Sequence, residues 1–217
     1  MLLRTFTKNY NLQLLPAAHT GILLGNLVWK PFLGKPKLSH PGMPNHISNA
    51  LYDIGIITKT TWQDILNKLE VPICKNAKLA KIKIDDVQQV VGSVLDKLGL
   101  GFEQSYVVES VITDVCAKVM DNNMRVGLDR YLEQIDPKLL RFSFRNPRKV
   151  YLITELYYGS IKIKVEKAHE LTFERLVAAT KWPVQANLKK ENNHEYVFAH
   201  NEVPFAYKME RILGFNG

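Results

Sequence analysis

The chain has 217 residues, of which 46% are hydrophobic, and a formal net charge of +8. This length and composition predict a single domain over residues 1–217 with a packed core. No apolar run reaches the roughly 18 residues of a membrane-spanning helix, and the N-terminus does not resemble a signal peptide, so we expect synthesis in the cytosol. Cys74 and Cys116 lie far apart in apolar settings and are predicted to be buried free thiols.

Positive charge is concentrated in two stretches. Residues 1–52 contain no Asp or Glu, and a second basic cluster directly precedes residue 150. The basic residues are Arg4, Lys8, Lys30, Lys35 and Lys37 in the first stretch and Arg141, Arg145, Arg148 and Lys149 in the second. Such patches favour a polyanionic partner, either nucleic acid or an anionic lipid surface. A solvated basic surface that only maintains solubility is an equally good interpretation.

The first third of the chain predicts short elements around a long loop. An amphipathic turn and a short strand over 11–15 come first, followed by an apolar run over 22–29. Residues 31–46 are rich in Pro and Gly, so this segment is predicted to be a loop without regular structure. A short helix over 46–56, ended by Gly55, is followed by a second helix that Thr60 or Thr61 caps.

The middle of the chain predicts a helix between strands. A weakly alternating strand over 78–84 leads to Asp85-Asp86, which is predicted to cap a helix that ends at Gly99. Residues 100–120 carry residues that favour β-strands at both odd and even positions. A run of this length indicates either a bend or one very long strand. Asp121-Asn122-Asn123 is predicted to be a turn. A short helix over 128–135 follows.

The stretch of residues 148–167 has two halves. Val150 to Tyr158 is almost entirely β-branched, aromatic or Leu, which predicts a strand covered on both faces. Apolar and charged residues then alternate strictly from Ile161 to Glu166, and Gly159-Ser160 between the halves predicts a bulge or bend. The simplest interpretation is a long central strand with a half-solvated end.

The last fifty residues predict one helix and three strands. A short helix over 171–177 precedes strands over 182–188, 196–199 and 204–212, with a hairpin turn at Glu191 to His194. This order predicts an α+β fold: a central twisted, mainly antiparallel β-sheet with long strands, flanked by short helices.

No group of residues in the sequence has a spacing that is specific to a catalytic or metal-binding site. His40 and His46 share the loop of residues 31–46 without a Cys or acid at ligand spacing, and Ser39-His40 is only sequence adjacency. We therefore expect no enzymatic activity, no cofactor and no metal. The aromatic residues near the basic clusters lack the spacing of a nucleic-acid module, so we do not expect nucleic acid as a partner. They are Trp29, Phe32, Phe142 and Phe144.

A resemblance to a known family rests on several segments in order. The segment VYLITELYYGSIKIKVEKAHE from Val150 to Glu170 resembles the strand that gasdermins carry late in their pore-forming domain. The middle of the chain, from Lys81 to Met120, and the segment from Asn201 to Met209 are similar to bacterial gasdermins in order and character. The resemblance covers residues 76–213 in outline, and the basic N-terminus is similar as well.

The resemblance implies a function and a set of residues. The protein would bind anionic membrane lipids, assemble into a large homo-oligomer and insert β-hairpins to permeabilise the membrane, in cell death or antiviral defence. It would be cytoplasmic when inactive and lie at the inner cell membrane when active, with an activating protease as a further partner. The implied membrane-inserting residues are Val107, Val111, Val115, Val119, Ile161, Ile163 and Val165. The implied lipid contacts are Arg4, Lys8, Arg141, Arg145, Arg148 and Lys149.

A second hypothesis stays open at this point. The same sequence fits a soluble, non-enzymatic α+β binding protein, such as an antidote or adaptor that holds a protein partner through the loop of residues 31–46. Leakage of lipid vesicles distinguishes the two hypotheses.

Overall fold

The computed structural model of the chain describes residues 1–15, 22–38, 44–70, 74–75, 81–86, 107–134, 136, 138, 149–166, 187–192 and 195–212. Within these residues the helices are α1 (Leu3–Asn9), α2 (Ile47–Asp53), α3 (Lys59–Glu70) and α4 (Asn122–Gln134). The strands are β1 (Gln13–Leu14), β2 (Leu27–Trp29), β3 (Cys74–Lys75), β4 (Ile82–Lys83), β5 (Val107–Val119), β6 (Val150–Glu166), β7 (Asn187–Asn192) and β8 (Glu195–Arg211).

The strands form one sheet in the order β1-β8-β6-β5-β3. In addition β2 pairs with β6, β4 with β5 and β7 with β8. The pairs β1–β8, β2–β6, β4–β5 and β7–β8 are all antiparallel. Long strands at the centre and short helices beside them confirm the predicted α+β class.

The chain divides into two compact units. The first comprises Met1–Gly21, Asn76–Ala117 and Tyr157–Tyr207. The second comprises Ile22–Lys75, Lys118–Leu156 and Lys208–Gly217. The strands β5, β6 and β8 each contribute residues to both units.

Helix α1 is held in the first unit by aromatic packing. The Phe6 side chain is fully buried, and its ring centre lies 5.8 Å from that of Tyr157 and 6.0 Å from that of Phe205. The amide of Lys83 donates to the carbonyl of Met1 at 2.9 Å, which ties the start of the chain to β4. Packing of aromatic rings at these distances stabilises the position of α1 in this unit.

The second unit is built on β2 and the first half of β6, which pair from Leu27 opposite Leu152 to Trp29 opposite Val150. Leu27, Leu152 and Ile153 are fully buried. Residues of both parities in positions 150–158 are buried, as predicted for a strand covered on both faces, although Tyr151, Glu155 and Tyr158 are half-buried. No helix in the described ranges is both long and apolar enough to cross a membrane.

Two predicted helix boundaries were wrong. Thr58 caps α3, since its hydroxyl accepts from the amide of Thr61 at 3.2 Å, and Thr60 and Thr61 lie inside the helix. Asp121 caps α4 by accepting from the amides of Asn123 and Met124 at 2.9 and 3.1 Å. The predicted turn at residues 121–123 is therefore a helix start, because Asp and Asn favour both settings.

Two strand predictions also need correction. The strands predicted over 196–199 and 204–212 are one strand, β8, in which Pro204 lies between the stretch paired with β7 and the stretch paired with β1. The predicted turn at Glu191 to His194 is shorter, since β7 extends through Asn192 and β8 begins at Glu195.

The side chain of Cys116 is half-buried, so its predicted burial was wrong. The side chain of Cys74, the predicted helices over 87–98 and 171–177, and the first part of the strand predicted over 182–188 lie outside the described residues.

Strand β6 continues through Gly159 and Ser160, where a bulge or bend was predicted, without a break. In β5, Asp114 has a φ of 53°, a left-handed value that residues with side chains seldom adopt. Ser110, Val111 and Ile112 before Asp114 are buried, and so are Val115 and Ala117 after it.

The alkaline limit of stability is expected to depend on Tyr207. Burial raises the pKa of its phenol from 10.0 to about 12. The stabilising contribution is fully present below pH 10 and is lost as pH rises toward 12, because only the unfolded chain ionises in that window. We expect the free energy of unfolding to fall by about 1.4 kcal/mol per pH unit there, and Tyr207→Phe to flatten the fall. Urea unfolding at graded alkaline pH measures this, and an unchanged slope in the variant contradicts it.

Candidate functional site

A closed loop projects from the end of β2 in the second unit. Trp29 and Lys37 exchange two backbone hydrogen bonds, of 2.9 and 2.8 Å, and close the segment between them. Gly34 adopts a φ of 111° inside the loop, a conformation that glycine reaches without strain. Pro31 and Pro36 flank this turn and limit the other backbone angles. The loop therefore has a defined shape.

The tip of this loop exposes two adjacent apolar side chains. Phe32 is 92% exposed and Leu33 is 83% exposed. Scattered surface apolar residues are ordinary, but these two stand together at the end of a projecting turn. Such a tip buries its apolar area only when another surface covers it.

Lysines surround the base of the loop. The Nζ atoms of Lys37 and Lys149 lie 5.8 and 5.6 Å from the ring centre of Trp29, within cation–π range. Lys30 lies 5.6 Å from the ring centre of Tyr151, and its amide donates to the carbonyl of Lys149 at 2.7 Å. Lys37 and Lys149, which come from two distant segments, therefore meet at the same ring, and the exposed Lys35 lies within the loop itself.

Carboxylates do not neutralise this cluster within the described part of the chain. The ion pairs there involve other lysines and arginines: Arg4, Lys81, Arg125 and Lys208. The cluster of Lys30, Lys35, Lys37 and Lys149, called the lysine collar below, therefore presents a net positive charge beside the Phe32-Leu33 tip. Positive charge and exposed apolar area thus occur together on this loop.

The lipid contacts implied by the resemblance do not all lie in one unit of the structure. Lys149 is part of the lysine collar in the second unit. Arg4 and Lys8 are exposed on α1 in the first unit, where Arg4 pairs with Asp85 at 3.0 Å between Nε and Oδ2. Arg141, Arg145 and Arg148 lie outside the described residues.

The implied membrane-inserting residues lie on neighbouring strands. In β5, Val111 and Val115 are buried and Val119 is half-buried, and in β6 Ile161 is buried. The side chains of Val107, Ile163 and Val165 lie outside the described part. Because β5 and β6 are adjacent in the sheet, the structure brings the two implied segments together. Insertion of either would first require these side chains to leave the core.

A charged network occupies the end of β8. Lys208 Nζ lies 2.9 Å from Glu155 Oε1, and this hydrogen bond is the main cause that raises the pKa of Lys208. Arg125 of α4 donates to the carbonyl of Arg211 at 3.1 Å and lies 3.8 Å from Glu210. These contacts connect α4, β6 and β8 within the second unit, which is a structural role.

His46 has a structural role as well. It is buried, its Nδ1 accepts from the amide of Ser48 at 3.2 Å, and its Nε2 lies 2.9 Å from the carbonyl of Leu24. It therefore caps α2. Among the described residues no group of three or more His, Cys, Asp or Glu side chains has the geometry of a metal site.

The Phe32-Leu33 tip is the feature that the sequence interpretation missed. Phe32 was considered only as an aromatic residue that could stack on nucleic acid, and Leu33 was assigned to the loop of residues 31–46 by its Pro and Gly content. A usable signal was present, since two apolar neighbours inside a loop between lysines contradict the usual polar composition of turns. The approach of Lys149 to Trp29 could not be foreseen, because it depends on the pairing of β2 with β6.

Neither a scan against models of known protein families nor a search of curated proteins finds a match to this chain.

Proposed function

We propose that the protein is a gasdermin-like pore former, which binds an anionic membrane, oligomerises on it and inserts β-hairpins that permeabilise it. The observation that carries the proposal is the exposed Phe32-Leu33 tip beside the lysine collar. Apolar side chains of this kind enter the boundary between lipid headgroups and acyl chains, while lysines contact the phosphates. Each lysine near an anionic surface contributes about 1 kcal/mol of attraction.

The lengths of the strands support the insertion step. A membrane-crossing β-strand needs about 9–11 residues. Strand β5 has 13 residues, and β6 and β8 have 17 each. Each of these neighbouring strands is thus long enough to cross a bilayer after refolding, and β6 carries the strict alternation of Ile161 to Glu166 in its second half.

The proposal has further parts that follow from the same resemblance. The protein acts without enzymatic chemistry and without a cofactor. It resides in the cytoplasm until activation, moves to the inner face of the cell membrane, and assembles there with further copies of itself. Proteolysis is one route of activation, and the biological outcome is cell death, in antiviral defence.

Release of a trapped dye from lipid vesicles tests the proposal. We expect the purified protein, alone or after limited proteolysis, to empty vesicles that contain acidic lipid and to spare purely zwitterionic vesicles. The difference should shrink in high salt, since screening weakens the lysine–lipid attraction. Rings visible by electron microscopy on leaking vesicles would connect the release to an oligomer.

The opposite result favours the second hypothesis. Intact vesicles under all these conditions, together with no toxicity on expression, would overturn the pore-forming function. The Phe32-Leu33 tip would then be the contact of a soluble binding protein with a protein partner, which a pull-down with wild type and a tip variant distinguishes.

A further inference from the structure

We propose that residues 1–15 form a strap that covers two outer strand edges of the first unit, and that these edges, once uncovered, bind a second copy of the chain. The inference rests on the proposed pore-forming function and identifies what controls its assembly step. It starts from the contacts of this segment, called the N-terminal strap below, with β4 at one end and with β8 at the other.

The beginning of the strap covers the outer edge of β4. Neighbouring residues of a strand direct their backbone amides to opposite sides. The amide of Ile84 donates to the carbonyl of Ser110 in β5, and the amide of Lys83 donates to the carbonyl of Met1, both at 2.9 Å. Lys83 also forms a parallel bridge with Leu2. The start of the chain therefore occupies the side of β4 that faces away from β5.

The end of the strap covers the outer edge of β8. In the order of the sheet, β1 and β6 lie on opposite sides of β8. Strand β1 belongs to the strap and places Leu14 opposite Ala206, and the amide of Leu15 then donates to the carbonyl of Phe205 at 2.8 Å. The strap therefore pairs with β8 on the side that faces away from β6.

Between its two ends the strap passes over β6 and β8. Phe6 is fully buried and forms an aromatic cluster with Tyr157 of β6 and Phe205 of β8, and Leu3 is buried as well. Each end, in contrast, pairs with its strand over only one or two residues. The middle of the strap is therefore held by apolar packing, and its ends are held by short backbone pairings that can open first.

The groups that the strap covers determine what can replace it. An uncovered strand edge pairs with another strand, because its amides and carbonyls otherwise lack partners. The covered edges of β4 and β8 are two different edges, so one copy can join its β4 edge to the β8 edge of the next. Such a head-to-tail contact repeats from copy to copy and closes into a ring when the rotation between copies allows it. A second copy thus supplies a partner for both edges.

One ion pair attaches the strap beside β4. Oδ1 of Asp85 accepts from the amide of Arg4 at 3.3 Å, and its Oδ2 lies 3.0 Å from Nε of the same arginine. The Arg4 side chain is 81% exposed, so phosphates of an anionic membrane can reach its guanidinium and compete with Asp85. Contact with acidic lipid therefore loosens the strap at β4, which connects membrane binding to assembly.

A disulfide that locks the strap to β8 tests the inference. Leu14 and Ala206 are directly opposite in a position without backbone hydrogen bonds between them, where Cα atoms lie about 4.5 Å apart. Leu14→Cys and Ala206→Cys are combined with Cys74→Ser and Cys116→Ser. The oxidised protein should form oligomers on acidic vesicles, and release dye, about tenfold more slowly or not at all. The same protein after reduction, and each single cysteine variant, should behave as wild type.

Loosening the strap at β4 should have the opposite effect. Asp85→Ala removes the ion pair and the acceptor of the Arg4 amide, so oligomers should form about three- to tenfold faster and at a lower fraction of acidic lipid. Glu109→Ala is the matched control, since it removes the same charge and a different ion pair of this unit, that with Lys81. Equal rates for the two variants would contradict the role of the ion pair.

Hydrogen exchange distinguishes a released strap from a strap that stays in place. In the monomer the amides of Lys83 and Leu15 are both hydrogen-bonded and should both be protected. In the assembled protein the amide of Leu15 should exchange at least about tenfold faster, whereas that of Lys83 should stay protected by the second copy. An oligomer in which Leu15 is as protected as in the monomer would overturn the inference.

The two proposals fail in different ways. Equal dye release by the oxidised and the reduced cysteine pair would overturn the strap and leave the pore-forming function intact. Oligomers that the oxidised pair prevents, without dye release by any variant, would overturn the pore-forming function and leave the strap. A protein that forms no oligomer even as Asp85→Ala would overturn both. Should the cysteine pair not fold, the comparison of Asp85→Ala with Glu109→Ala and the exchange of Leu15 decide the outcome.

Discussion

Replacing Phe6 by Ala is expected to lower the free energy of unfolding by about 3–5 kcal/mol, because it removes the centre of the aromatic cluster. Phe6 is fully buried and lies against Tyr157 of β6 and Phe205 of β8. No other side chain of α1 reaches both strands in this way among the ring contacts of the described residues. The loss should therefore release α1 from the first unit before the sheet itself unfolds.

Urea unfolding followed by circular dichroism measures this effect, and hydrogen exchange at the amides of residues 3–9 locates it. Leu2→Ala is the matched control, since Leu2 lies directly before α1, is 40% exposed and should change stability by about 0.5 kcal/mol or less. A Phe6→Ala variant as stable as the control would contradict the role of the aromatic cluster.

The fold could be predicted from the sequence where the pattern is local and long. The strand over residues 150–158 and the class of the sheet followed from composition and periodicity, and both are confirmed. The positive φ at Asp114 of β5 could not be predicted, because Asp114 reads as an ordinary polar interruption of a strand.

The candidate site could be predicted only in part, for a physical reason. Positive charge in residues 30–37 and at Lys149 is visible in the sequence, but the convergence of these residues depends on the register of β2 with β6. Register is set by the packing of the whole sheet and not by either segment alone. Arg4 illustrates the reverse case, since its charge suggested a lipid contact and the structure pairs it with Asp85.

The second large effect concerns membrane binding. The double substitution Phe32→Ser and Leu33→Ser is expected to weaken binding to acidic vesicles by on the order of 10²–10⁴-fold, since burial of each side chain in the lipid contributes about 1.5–3 kcal/mol. The fold should be unaffected, because the two side chains are 92% and 83% exposed. Vesicle co-sedimentation measures the binding, and thermal unfolding monitors the fold.

The matched control is Val126→Ser, which removes a 42% exposed apolar side chain from a different element, helix α4. It should bind vesicles as wild type does. A double variant with wild-type affinity would show that the Phe32-Leu33 tip does not contact the membrane. The charge of the lysines would then account for the binding alone.

Salt separates the two physical contributions at this site. Lys37→Gln and Lys149→Gln should each cost about 1 kcal/mol of binding at low salt and almost nothing at about 1 M salt, where the screening length falls to about 3 Å. The loss caused by the Phe32 and Leu33 substitutions should persist at high salt, because apolar transfer does not depend on screening. Parallel salt dependences for the two kinds of variant would contradict a tip that enters the lipid and a lysine collar that stays at its surface.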